Sequence, residues 1–230
     1  IVRFIGDAGN TPIRASADGK GGHDHIIYDD VMPSTVTLAD GSTVQLNTDT
    51  ALSVSMTEQG RRLTLHRGEA FFTVAPDAAR PFEVEAGRGT IRALGTAFNV
   101  RTGTEHSIRI RLGKETSAEV HAGERLRYRP DGWIDPVETA DMDRVLAWRH
   151  HRLIFENQPL PEVLAELARY RSGRLVILRD QSLKTLPVTG SFDTERLDHL
   201  LPAIEESLPV RIVSFADRVI LLYRGLPKKS

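Results

Sequence analysis

His23-Asp24-His25 is the pair of imidazoles best spaced to share a metal ion. Residues two apart on an extended strand share one face, so two imidazoles there can meet one cation. A metal site also needs a defined ligand number, and the sequence assigns no third ligand. A solvated loop is the blander reading and carries more weight. His150-His151 is a second pair. Adjacent side chains diverge by about 100° on a helix, which suits a contact between segments better than ligation. Asp29-Asp30 and Glu205-Glu206 are consecutive acids. Acid–base catalysis needs carboxylates aimed at one substrate, whereas consecutive acids usually form a solvated face. Arg61-Arg62 reads as an exposed turn rather than a phosphate clamp. There is no G-x-S-x-G elbow, no H-E-x-x-H helix and no P-loop. Gly87-Arg88-Gly89 lacks the third glycine and the following helix of a phosphate loop. The sequence therefore assigns no catalytic residue, no metal ligand and no cofactor.

The elements that would hold such groups fall into two kinds. The chain has 230 residues, enough for one large domain or two modest ones. Its 40% hydrophobic and 27% charged residues suit a soluble globular protein with a core. A net charge of −1 provides no broad field for nucleic acid or acidic lipid. Cysteine is absent, which removes disulfides and thiolate chemistry without fixing the compartment. No apolar run approaches the roughly 20 residues that span a bilayer, and no signal peptide is visible. The chain opens on Ile1, as an excised fragment would, which leaves room for an anchor or address upstream.

Residues 1–30 are glycine-rich and polar, as in a linker or loose arm, with only Ile26-Ile27-Tyr28 suggesting a strand. From Val36 onward apolar residues alternate: Val36 and Leu38, Val44 and Leu46, Leu52 and Val54, Leu63 and Leu65. Phe72 and Val74, Phe82 and Val84, Phe98 and Val100, Ile108 and Ile110 continue the series. Period two marks strands with one buried face. Asp40-Gly41 lies between two such runs, a strong hairpin signal because both residues tolerate positive φ. Residues 31–130 are thus expected to be all-β, with sandwich, barrel and solenoid left open. Residues 131–152 form a hinge with a short helix expected from Asp141 to His151, Val145 and Trp148 on one face, and Trp148 is its expected packing anchor.

Beyond Leu153 the period changes. Leu160, Val163, Leu164 and Leu167 form one helical stripe after a strand at Leu153-Ile154-Phe155. A second stripe runs through Leu197, Leu200, Leu201, Ile204 and Leu208. Strands are expected at Leu175 to Leu178, Pro187 to Phe192, Val210 to Phe215 and Arg218 to Tyr223. Residues 153–224 therefore read as an α+β domain of βαβ-βαββ order with two helices on a small mixed sheet, followed by a tail at 225–230. The fold class is mainly β plus α+β.

Several stretches together resemble the FecR family of sigma-factor regulators. They are Val36-Thr37-Leu38-Ala39-Asp40-Gly41-Ser42, Gly68-Glu69-Ala70-Phe71-Phe72-Thr73-Val74, Arg80-Pro81-Phe82-Glu83-Val84 and Ala93-Leu94-Gly95-Thr96-Ala97-Phe98-Asn99-Val100. Their order and spacing carry the resemblance, with Asp40, Gly41, Gly68, Gly95, Phe98 and Trp148 as its structural landmarks. The passage from Trp148 through Leu153-Ile154-Phe155 to Pro159-Leu160 resembles the family's link into its C-terminal module, although relatives usually carry glycine where this chain has His151. Residues 153–224 also resemble the short domain at the N-termini of secretins and TonB-dependent receptors.

The resemblance implies the periplasmic, signal-receiving part of a single-pass inner-membrane protein. Its partner would be the periplasmic signalling domain of a TonB-dependent outer-membrane receptor that binds an iron chelate such as a siderophore. The family contacts an extracytoplasmic-function sigma factor through a cytoplasmic region that these residues do not resemble. Receptor contact is expected either at a strand edge, through Val188 and Phe192 or through Val219 and Leu221, or on the helix face of Leu160, Leu164 and Leu167. Core packing is the blander reading of those leucines. Two alternatives remain: a periplasmic glycan- or cell-wall-binding β module, and a metal-dependent enzyme on the β domain. With Trp133 and Trp148 its only tryptophans, the chain is poorly supplied for sugar stacking.

Overall fold

The computed structural model describes residues 14–17, 23–28, 34–87, 89–93, 95–102, 119–127, 135–170, 174–177, 183–215 and 219–224. The chain divides into two compact units, Ile1–Leu146 and Ala147–Ser230. No described helix is long and apolar enough to cross a membrane.

The first unit contains β1 (Arg14–Ala17), β2 (His23–Tyr28), β3 (Ser34–Thr37), β4 (Thr43–Leu46), β5 (Thr50–Met56), β6 (Arg61–Arg67), β7 (Glu69–Thr73), β8 (Phe82–Ala86), β9 (Gly89–Ala93) and β10 (Ala97–Arg101). Two short strands, β11 (Glu124–Arg125) and β12 (Glu138–Thr139), pair with each other, and α1 (Met142–Val145) follows. One sheet has the order β1-β2-β5-β6-β8-β9, the other β10-β7-β4-β3. All neighbours are antiparallel except β6 and β8, which run parallel. The chain between those two is β7, a strand of the opposite sheet.

The alternating residues of both sheets meet in one core: Val36, Val44, Leu46, Leu52, Leu63, Leu65, Phe72, Phe82 and Val84 are each at most 1% exposed. Of the three all-β architectures, the chain adopts the sandwich, because each sheet buries one face against the other. Phe72 is the aromatic centre. Its ring stacks on Phe98 at 5.2 Å and meets Phe82 edge-on at 6.0 Å.

Within the stretch expected to be a linker or arm, residues 14–17 and 23–28 are strands, the second of them containing the expected Ile26-Ile27-Tyr28. β1 and β2 extend the six-stranded sheet, with His23, Asp24 and His25 opposite Ser55, Val54 and Ser53 of β5. A marginal strand is held by its backbone ladder, so it needs little apolar periodicity to form. The side chains of His23, Asp24 and His25 lie outside the described structure, as do Asp29-Asp30 and the run at Ile108 and Ile110.

The second unit contains a 3-10 turn at Ala147–His150, β13 (Arg152–Pro159), α2 (Leu160–Arg169), β14 (Arg174–Ile177), β15 (Pro187–Asp193), α3 (Leu197–Ser207), β16 (Val210–Phe215) and β17 (Val219–Arg224). Helix α2 starts at Leu160 with Pro161 in its first turn, where a missing N–H costs nothing. The element order is the one expected, but the single mixed sheet is replaced by two sheets. β13 and β15 form an antiparallel pair, while β14-β17-β16 form a mixed sheet with β14 parallel to β17. The reason is that α2 touches β13, β15 and β14, and α3 touches β15 and β16. Each helical stripe is thus shared between two small sheets instead of covering one.

Candidate functional site

Two landmark residues of the first unit, Asp40 and Gly41, form a turn that holds a buried cation. Asp40-Gly41 turns β3 into β4, and of the two only Gly41 takes positive φ, at 85°. Asp40 is therefore freed from a purely conformational role. Its carboxylate accepts hydrogen bonds from the Ser42 N–H at 3.0 Å and the Ser42 hydroxyl at 2.7 Å. It also accepts one from Arg61 Nη1 at 2.9 Å.

Arg61 is 1% exposed, which corrects its reading as an exposed turn residue. It opens β6, and its guanidinium donates to the carbonyls of Ala75 (2.8 Å), Asp77 (3.3 Å) and Arg80 (2.8 Å). The same group lies 5.4 Å from the Phe82 ring centroid, within cation–π range. One side chain thereby fastens the 74–81 loop to the sandwich. Burial raises the Asp40 pKa, but the hydrogen bonds from Arg61 and Ser42 and the Arg61 charge outweigh it and hold it below 3.8.

Gly68 joins β6 to β7 at φ +90°, and there β7 comes close to the chain at Asp49 and Thr50. The closeness lets Thr50 Oγ1 accept from the Glu69 N–H and donate to the Glu69 carbonyl, each at 3.1 Å. The Glu69 side chain, 4% exposed as a residue, accepts from the amides of Asn47 (2.9 Å) and Asn99 (2.8 Å). This buried carboxylate ties β7 to β10 and to the chain after β4, and sequence reasoning missed it. Gly95, at φ +142°, passes against Pro76, where a Cβ would lie 3.1 Å from the proline Cα. Among the described residues, no three metal-ligating side chains gather.

In the second unit the expected contact residues separate. Leu160, Leu164 and Leu167 are 0%, 2% and 3% exposed, and Val188 is 6% exposed. The leucine face is core, so it is closed to a partner. Val219 and Leu221 lie on β17, the central strand of its sheet, whose two sides are taken by β14 and β16. Strand addition at β17 is thereby excluded, since an added strand needs an unpaired edge. Phe192 remains. It is half-buried, its ring lies 5.7 Å from Phe155, and it lines a groove of about 370 Å³ with Ser191, Asp193, Arg196, Leu200 and Ala203. The groove runs between the end of β15 and α3. It has an apolar floor and an acid and a base at its rim, which suits an apolar side chain of a partner more than a polar metabolite.

Trp148 is 3% exposed and packs in the 3-10 turn against β13, inside the second unit. Its indole N–H has no hydrogen-bond partner among the described residues. His151 follows at φ +56°, a left-handed conformation that glycine adopts freely. The backbone needs it there: the His151 carbonyl accepts from the Thr194 N–H at 2.8 Å, and its own N–H donates to the Trp148 carbonyl at 3.1 Å. The imidazole contributes only a 3.7 Å approach to Glu195 on the surface, worth little. His151→Gly is therefore expected to stabilise the second unit by about 0.5–1 kcal/mol. A higher midpoint in thermal unfolding checks it, and a lower one would mean that the imidazole holds more than the strain costs.

Comparison with known proteins matches this geometry. The family described as FecR protein matches residues 33–124, and that described as FecR, C-terminal matches residues 152–222. Two crystal structures of a candidate anti-sigma factor from Parabacteroides distasonis are similar to the chain. One is 26% identical with a TM-score of 0.73, covering 89% of this chain and 100% of that one. The other is 26% identical with a TM-score of 0.74, covering 88% and 99%. No curated protein matches the chain. The two matched stretches fall one in each unit, the sandwich with its Arg61 anchor and the two-sheet unit that follows in sequence, and the chain belongs to the FecR family.

Proposed function

We propose that this chain is the periplasmic, signal-receiving region of a FecR-type regulator. Its second unit binds the periplasmic signalling domain of a TonB-dependent outer-membrane receptor, and that contact controls an extracytoplasmic-function sigma factor in iron and siderophore uptake. The sigma factor is reached through a cytoplasmic region of the family, and the membrane through a transmembrane helix, neither of which these residues resemble. The role is recognition, with no catalytic step and no cofactor. The observation that supports it most is the groove beside Phe192. It joins an apolar floor to an acid and a base at its rim, on the unit matched as FecR, C-terminal.

Titration calorimetry of the chain against the signalling domains of its host's TonB-dependent receptors tests the reading. Saturable one-to-one binding to one of them is the expected result. Silence across the full receptor set, with glycan fragments binding instead, would replace it by the cell-wall-binding alternative.

A further inference from the structure

Among the described strands of the second unit, those with an open side differ in how they are protected. β13 is broken by a register shift between Phe155 and Gln158, has Asn157 at φ +48° and ends on Pro159. β15 begins with Pro187 and carries Gly190 in its middle. β14 is only four residues long. Bulges, prolines and shortness are the devices that blunt sheet edges against further pairing. β16 has none of them. Its six residues, Val210–Phe215, pair with β17 in unbroken register, and among the described residues it has a strand neighbour on that side alone.

The exposed groups along this edge say what fits it. α3 covers one face, where Val210 and Leu222 are 2% and 0% exposed. On the other face Arg211 and its register partner Tyr223 stand beside Val213, and Val213 and Tyr223 are among the exposed large hydrophobic residues. The charge is one-sided. Arg211 and the exposed Arg224 sit at the same end of the ladder. Glu205, 3.0 Å from Arg211, offsets part of this.

We propose that the open edge of β16 is where an extended strand of the receptor's signalling domain adds to this sheet, with apolar residues beside Val213 on the face it shares with Tyr223, and a carboxylate beside Arg211. The inference rests on the receptor-binding reading and locates its backbone contact. Main-chain pairing supplies affinity in such complexes, and the flanking side chains select the partner. Along an antiparallel edge alternate residues turn their N–H and C=O away from the neighbouring strand, so β16 offers backbone groups on its open side.

Ser214→Pro puts a proline, which edge strands tolerate, into the open strand and removes a backbone donor from it. Val213→Lys places a charge on the exposed face, a natural guard against strand addition. Calorimetry of the full chain with the cognate signalling domain should show each variant binding at least about tenfold more weakly. Wild-type affinity should fall as salt rises from about 0.05 to 0.3 M. Thermal unfolding checks both variants, and if Ser214→Pro melts early, Val213→Lys decides. Binding of both within about twofold of wild type would overturn the β16 edge while leaving receptor binding intact. A wild-type chain that binds no signalling domain would overturn the reading and the edge together. Sedimentation showing a wild-type dimer that Ser214→Pro makes monomeric would overturn the proposal too, because the edge then belongs to a second copy.

Discussion

Gly68→Ala should destabilise the first unit by about 3–4 kcal/mol, a large share of the roughly 5–15 kcal/mol typical of a folded domain. A Cβ at this position would lie 2.4 Å from Thr50 Oγ1 and 2.6 Å from both the Asp49 carbonyl oxygen and the Thr50 Cα. Two of these neighbours are backbone and cannot rotate away. A left-handed alanine alone costs about 1–2 kcal/mol. Moving β7 outward to make room would stretch both hydrogen bonds between Thr50 and Glu69, at about 1 kcal/mol each. Urea unfolding of the chain reads the sum. A loss under about 1 kcal/mol would mean that β7 can shift freely and that the close approach is not needed.

Arg61→Met is the second large effect, about 3–5 kcal/mol, because it strands the buried Asp40 carboxylate without its cation. The carbonyls of Ala75, Asp77 and Arg80 lose their donor at the same stroke. Adding Asp40→Asn to the same chain should recover a large part of the loss, since the amide keeps an acceptor for Ser42 and no charge is then buried alone. Acid provides an independent check. Asp40 titrates below its ordinary 3.8 in the folded chain, so the folded state holds fewer protons there than the unfolded one. The stability it contributes is present above about pH 3.8 and is lost as pH falls through the lower folded value. Asp40→Asn should flatten that acid limb of the unfolding midpoint. An unchanged limb would assign acid sensitivity to other carboxylates.

The strands of the sandwich were legible because period two is local, and Val36, Val44, Phe72 and Phe82 all fall where alternation put them. The two leucine stripes of the second unit were equally plain, and so was the bland reading of Leu160, Leu164 and Leu167 as core. What eluded the sequence depends on partners far along the chain. Arg61 reads as a polar turn residue until Asp40, 21 residues earlier, and three loop carbonyls converge on it. Glu69 looks like one more exposed acid until Asn47 and Asn99 close over it from 22 and 30 residues away. Alternation likewise identifies a strand without naming its neighbours. Val219 and Leu221 fit an edge by pattern, and only the parallel pairing of β14 turns β17 into a centre. His151 offers the opposite lesson: a residue that departs from the family's usual glycine keeps the glycine's backbone conformation.

The thread of β7 between the parallel neighbours β6 and β8 also bears on how the first unit comes apart. Neither sheet is built from one continuous stretch of chain, so neither can peel off while the other stays whole. Such non-local pairing slows folding to the millisecond-to-second range typical of sandwiches. It also makes intermediate openings expensive. Amide protons of β4, β7, β6 and β8 should therefore exchange with solvent together, through a single global event, and the first unit should present proteases with either a closed sandwich or an unfolded chain.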